Sequence, residues 1–240
     1  MDQQDYWAIA ERTIEIQNPI TDRKLRLLDD YCEIRDGLKV LDVGCGKAWL
    51  MRHWAAKHDI RGTGIETNKH FLRFAREASK PFGVRLSYVE AKALDVRVEP
   101  GSYDIVMCLG ATFALGGLVE SLEWMAHAVR PGGTIVVGDM TLKHRPAVPV
   151  REWLPHDTLE SIAIIERHGA EVSATITASE ADFERYMAHH RQATLTWARE
   201  NPTHADHAAV LKQSRDEWMT YLRNIRPYQT WTIFVGRRAD

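Results

Sequence analysis

An aspartate, two glycines and a glutamate are spaced in this chain as one kind of ligand site requires. Asp42 stands two positions before Gly44, Gly46 follows Cys45, and Glu66 comes 20 residues after Gly46. Glycines in that arrangement permit a tight turn and let backbone approach a ligand closely, which a Cβ would hinder. A carboxylate just before the turn suits a ligand with a cationic amino group and repels a pyrophosphate. A second carboxylate about 20 residues on is placed to accept hydrogen bonds from both hydroxyls of a ribose. Further along, Asp139 and His144 are candidates for taking up a proton near the end of the fifth strand, and a surface role explains either equally well.

These residues need a scaffold, and the pattern around them describes one. The apolar run over 38–43 reads as a buried strand, broken by the glycines before a helix over 50–58 whose first N–H groups point over the strand's carboxyl end. Strands follow over 61–66, 85–90, 102–110 and 134–138. Between them run helices marked by Phe71, Phe74, Ala75 and Ala78 and by Leu122, Met125 and Val129, the latter ending at Arg130-Pro131-Gly132-Gly133. Five strand–helix alternations predict an α/β, doubly wound, Rossmann-like parallel sheet with its ligand at the carboxyl ends. A helix over 157–168, a sixth strand over 171–177 and an antiparallel last strand over 228–235 bring the sheet to about seven strands. A helix over 5–16 stops at Asn18-Pro19, and Thr21 caps a second with Leu25, Leu28 and Cys32 on one face. This pair either pads the sheet edge or forms a lid. Before the last strand lies a helical insertion over 179–223, longer than a connection needs. Its stripe of Phe183, Tyr186, Met187, His190, Thr194 and Trp197 reads most simply as core packing, with a substrate-enclosing wall as the other reading.

Val40-Leu41-Asp42-Val43-Gly44-Cys45-Gly46 resembles the first motif of the class I S-adenosylmethionine-dependent methyltransferases. A nicotinamide-type dinucleotide site would want a third glycine where Trp49 stands. The resemblance implies S-adenosylmethionine as cofactor, held by Asp42, Gly44, Cys45, Gly46, Glu66, Thr67, Ala93, Leu94 and Leu109. In the family an aspartate that accepts from the adenine amino group commonly stands where this chain has Lys92, which can only donate. Either Asp95 takes that role, or backbone around Ala93 and Leu94 holds the adenine. The E-R-x-x-x-x-x-N-P element (Glu11, Arg12, Asn18, Pro19), the G-A-T-F-A-L-G-G segment over 110–117 and the helical insertion look like one subgroup of bacterial type 11 methyltransferases acting on small molecules. That subgroup usually carries Glu-Pro-Tyr-Trp after the fifth strand. Here the segment is Asp139-Met140-Thr141-Leu142, so the acceptor's identity does not carry over. The implied reaction is in-line displacement at a sulfonium methyl, with Phe113, Asp139 and Tyr186 as acceptor contacts. A cofactor-binding protein without catalysis is the alternative that Lys92 favours.

Composition sets the outer bounds. The chain has 240 residues, 45% hydrophobic and 27% charged, with a net charge of −2, which predicts one methyltransferase domain over 1–240 and no electrostatic footprint for nucleic acid. Its parts are N-terminal helices (1–36), a cofactor-binding core (37–178), the insertion (179–223) and the last strand (224–240). No stretch has the length and apolarity of a membrane span, and Met1-Asp2-Gln3-Gln4-Asp5 lacks the basic region of a signal peptide. Cys32, Cys45 and Cys108 are too scattered for a metal or redox motif, and a cytoplasmic setting is expected. Adjacent His189 and His190 point about 100° apart on a helix, and His204-x-x-His207 has no matching ligand pattern, so no metal is expected. The oligomeric state stays open.

Overall fold

Alternation along the first strand explains how the sheet is covered on both sides. Val40 pairs with Ile105 of the neighbouring strand and both face one core, which takes in Met51, Trp54, Leu72, Met107, Val136 and Ile233. Leu41 pairs with Val106 and both face the other, with Leu122, Met125, Ile135, Ile164 and Phe234. Successive strand side chains point to opposite faces, so an apolar run without polar interruption must be sandwiched. Each large side chain fully buried here contributes roughly 1.5–3 kcal/mol.

The computed structural model describes residues 1–144 and 155–239. Helices α1 (Gln3–Ala10), α2 (Asp22–Leu25) and α3 (Leu28–Tyr31) precede β1 (Lys39–Val43). Then come α4 (Trp49–Ala55), β2 (Arg61–Glu66), α5 (Lys69–Ala78), β3 (Leu86–Glu90), β4 (Tyr103–Leu109), α6 (Leu118–Ala128) and β5 (Val129–Leu142). The chain closes with α7 (Thr158–Arg167), β6 (Ala170–Thr177), α8 (Glu180–Glu200), α9 (His207–Thr220) and β7 (Gln229–Arg238). The seven strands lie in the order β3-β2-β1-β4-β5-β7-β6, and β7 alone runs antiparallel to its neighbours. This is the doubly wound Rossmann-like sheet that the alternation predicts. The order reverses between β1 and β4, which opens the crevice where such sheets bind ligands.

Several boundaries depart from the sequence pattern. The first helix ends at Ala10 rather than 16, because the carbonyls of Glu11 and Ile14 turn to accept from Lys47 Nζ at 2.7 and 2.6 Å. Thr21 caps as expected, but the helix after it breaks into α2 and α3. Helix α4 ends at Ala55, short of 58. Helix α6 stops at Ala128, and Val129 is already extended, so Arg130-Pro131-Gly132-Gly133 belongs to β5 and not to a glycine cap. Strand β5 continues to Leu142 because β7 pairs with it residue by residue from Thr134 to Leu142. Asp104 is far from the ligand edge: it accepts from Lys39 N–H and Arg130 Nε at 2.8 and 2.7 Å and fixes the entrance of β4.

Candidate functional site

The glycine turn is built by three left-handed residues in alternation, Gly44, Gly46 and the non-glycine Ala48, with φ of 68°, 52° and 55°. A side chain at Gly44 would overlap the Ala111 Cβ, and one at Gly46 would overlap the Gln17 carboxamide. Space therefore demands glycine at position 44, whereas at 46 it is the Gln17 side chain that would have to move. The N–H groups of Gly44 and Cys45 both donate to the Ile65 carbonyl, at 2.8 and 3.1 Å, which fastens the turn to β2. Cys45 is buried, and burial, then the Asp42 and Glu66 carboxylates, push its thiol well above the ordinary range.

Asp42 is 6% exposed and accepts no hydrogen bond from the described residues. Burial, and then the nearby Glu66 carboxylate, push its pKa well above the usual carboxylate range. A desolvated acid without a donor is poised to receive a cation. Glu66, at the end of β2, accepts from Gly46 N–H at 3.0 Å on one oxygen and from Thr67 and Asn68 N–H at 2.8 Å each on the other. Its carboxylate thus ties the glycine turn to the start of α5 and keeps an acceptor position open on the oxygen shared with Gly46.

The N-terminal segment lies over this turn. Gln17 Oε1 accepts from Lys47 N–H at 2.6 Å, its Nε2 donates to Glu11 Oε2, and Asn18 fills the space where a side chain at Gly110 would stand. Tyr186, from α8, donates to Glu11 Oε1 at 2.8 Å. Burial, then Glu11, push the Tyr186 hydroxyl well above its ordinary pKa. Helix α1 reaches the loop beside Glu66 as well: Gln4 Nε2 donates to the Thr67 carbonyl at 3.0 Å, and Asn68 Nδ2 to the Gln4 carbonyl at 3.1 Å. Glu11 and Asn18, noticed in the sequence as parts of a motif, are here the struts between N-terminus, turn and insertion.

On the other side of the crevice stand Phe113 and Asp139, expected to meet an acceptor, and Ala93, Leu94 and Leu109, expected to hold the cofactor. Thr112–Leu115 forms one turn of 3-10 helix beside a second at Ala93–Asp95. Each turn projects an apolar side chain to solvent, Phe113 at 81% and Leu94 at 63% exposure. Ala93 is buried, and Leu109 ends β4 half-buried. Asp139 accepts from Thr112 Oγ1 at 2.6 Å and from Met140 N–H at 2.7 Å, so its carboxylate is fixed in orientation. His144 is exposed two residues past the end of β5. Lys92 and Asp95 are both exposed.

The structure brings Asp42, Gly44, Cys45, Gly46, Glu66 and Thr67 around one turn, and Tyr186 reaches that turn through Glu11 and Gln17. Asp139 and Phe113 share the Thr112 turn across from it. Sequence reasoning missed Gln17, Lys47 and His190. Lys47 is 6% exposed, its ammonium spent on two carbonyls of the N-terminal segment; burial pulls its pKa down while Glu11 and Glu15 oppose the shift. A lysine after a glycine turn ordinarily reads as solvated, and no local pattern announces these carbonyls. Among the described residues no group of three or more His, Cys, Asp or Glu side chains could hold a metal ion, and no helix is long and apolar enough to cross a membrane.

Comparison with known proteins adds independent observations. A family model described as a methyltransferase domain matches residues 40–133. The fold is similar to a S-adenosylmethionine-dependent methyltransferase from Thiobacillus denitrificans, solved in complex with S-adenosyl-L-homocysteine: TM-score 0.88, 26% identity, covering 99% of this chain and 100% of that one. It is likewise similar to one from Geobacter sulfurreducens, also in complex with S-adenosyl-L-homocysteine, with TM-score 0.88, 28% identity and 98% of both chains covered. The uncharacterized protein YjhP of Escherichia coli K12 is 27% identical over 236 residues, 93% of this chain and 95% of that protein.

Proposed function

We propose that the chain is a class I S-adenosylmethionine-dependent methyltransferase that methylates a small molecule held between the carboxyl edge of the sheet and the helical insertion. The observation that carries this reading is the roof over the glycine turn, where Glu11, Gln17 and Asn18 of the N-terminal segment meet Tyr186 of α8. A site closed by two separate elements suits an acceptor small enough to be enclosed, and it excludes water from the reacting atoms.

The residues around the turn fit the cofactor. The buried Asp42, without a donor of its own, faces the cationic amino group, and the open acceptor position on Glu66 meets the ribose. Gly44 and Gly46 leave the backbone bare, with Cys45 contributing main chain only, since its side chain is turned into the core. Leu94 and Leu109 line the adenine side, and Thr67 and Ala93 add backbone. When bound, S-adenosylmethionine supplies a methyl already activated by its positive sulfur, so the protein's work is chiefly positional.

Phe113 offers an apolar face to the acceptor. Asp139, fixed by Thr112 and Met140, orients an O–H or N–H of the acceptor and is the better-held candidate for receiving its proton; His144, exposed, is the weaker. Tyr186 stands on the opposite wall. The unit comprises residues 1–240 and works in the cytoplasm.

Incubating the protein with methyl-labelled S-adenosylmethionine and the small-molecule fraction of a cell extract, followed by mass spectrometry, tests this reading. A labelled product below the size of a peptide is expected. Label found only on macromolecules, or nowhere, would defeat it and favour the non-catalytic alternative in the second case.

A further inference from the structure

Between the glycine turn and the insertion runs a chain of hydrogen bonds whose polarity is set by one residue. Lys47 N–H donates to Gln17 Oε1 at 2.6 Å, Gln17 Nε2 donates to Glu11 Oε2, and the Tyr186 hydroxyl donates to Glu11 Oε1 at 2.8 Å. Glu11 is 5% exposed, and both of its carboxyl oxygens are taken up as acceptors, one by Gln17 and one by Tyr186. It therefore forces the Gln17 amide to turn its nitrogen inward and its oxygen toward the turn. The Gln17 oxygen rests where a side chain on Gly46 would stand, so whatever settles on the turn is felt by Gln17 directly.

At the far end the network is incomplete. His190, one helical turn after Tyr186, packs on its ring at 4.1 Å and lies with Nε2 3.3 Å from the same Glu11 oxygen. The angle leaves that nitrogen without a hydrogen bond, although His190 is only 5% exposed. A buried polar atom whose partner is within reach but out of line is a standing cost. A small reorientation of α8 against the N-terminal segment would remove it.

We propose that Glu11 is a positioning residue that couples cofactor loading to the acceptor wall, its carboxylate relaying occupancy of the glycine turn through Gln17 to Tyr186 and His190. This rests on the cofactor reading above. Cofactor on the turn fixes Gln17, Gln17 fixes Glu11, and Glu11 draws α8 into the position that shapes the acceptor site. The acceptor then meets a finished pocket only after the methyl donor is in place.

The test uses S-adenosyl-L-homocysteine as probe on the full chain, reading amide hydrogen exchange over residues 42–48 and 180–194 with and without it. In the parent the probe should slow exchange in both regions. Glu11→Gln keeps the shape but removes the charge and turns one of the two acceptors into a donor, and Tyr186→Phe removes the hydroxyl alone. Each should keep the slowing at 42–48 and lose roughly tenfold of it at 180–194, the size of one charge-assisted hydrogen bond. Parent-like slowing at 180–194 in either variant would overturn the coupling, and so would a parent in which 180–194 ignores the probe. If Glu11→Gln fails to fold, Tyr186→Phe decides alone. A parent whose residues 42–48 are also indifferent would instead overturn the cofactor reading and this inference with it.

Discussion

Lys24 Nζ lies 2.6 Å from Asp182 Oδ2 and also donates to the Thr177 carbonyl at 2.9 Å, so one lysine of α2 fastens the point where the insertion leaves the sheet. Asp182 accepts from Ser179 N–H at 2.8 Å in the capping box of α8. Burial alone would raise its pKa, but Lys24 and Ser179 outweigh that and hold it below the usual carboxylate range. A carboxyl depressed in the folded state contributes stability above its unfolded pKa, about 3.9, and loses it as pH falls through the folded value.

Asp182→Asn should therefore destabilise the protein at pH 7 by about 1 kcal/mol, discounted because Lys24 is partly in water. The gap between parent and variant should close as pH drops below about 4. Thermal melts across that range check this; a gap of constant size would mean that the charge on Asp182 contributes nothing.

Asp42 behaves in the opposite sense. With its folded pKa raised, its contribution to the stability of the empty protein is present below the unfolded pKa and lost as pH rises through the folded one. A cationic amino group brought beside it favours the ionised form, so binding expels a proton. Affinity for S-adenosyl-L-homocysteine should rise with pH until Asp42 ionises in the free protein. Calorimetry in two buffers of different ionisation heat should show net proton release, absent in Asp42→Asn; proton uptake would remove Asp42 from contact with the amino group.

Lys92 makes no ion pair among the described residues and stands exposed at the start of the Ala93–Asp95 turn. Lys92→Asp should bind S-adenosyl-L-homocysteine as tightly as the parent or more so, since the new side chain can accept from an amino group. A large loss of affinity would reveal a contact that Lys92 itself makes.

Phe113→Ala should leave stability within about 0.5 kcal/mol, as expected for a side chain so exposed. Its effect should fall on the acceptor's KM or on turnover, with cofactor affinity unchanged. Unaltered kinetics on the acceptor found by the labelling screen would take Phe113 out of the site.

What was readable in the sequence is what depends on near neighbours. Asp42, Gly44, Gly46 and Glu66 sit on one strand–turn–helix–strand unit, so their spacing along the chain already fixes their spacing in space. The sheet's alternation and the cap at Thr21 were legible for the same reason. The end of α1 was not, because the ammonium that captures the Ile14 carbonyl comes from Lys47, 33 residues on. Nor was the length of β5, set by a partner strand whose Thr232 hydroxyl meets that of Thr141 across 91 residues. His190 looked like one more residue of a packing stripe, since nothing local tells that its ring faces Glu11.

Helices α8 and α9 leave the sheet after Thr177 and return at Gln229, and Thr177 pairs directly with Thr232. The two feet of the insertion are thus held side by side by strands that would pair without it. Lengthening such an excursion costs little, because closure entropy grows only with the logarithm of loop length. The insertion's length can then vary at small cost, provided the contact of Tyr186 with Glu11 is kept. Residues that reach back to the N-terminal segment, among them Asp182 to Lys24 and Tyr186 to Glu11, tie the insertion to the turn, so the rest of the insertion is freer to change.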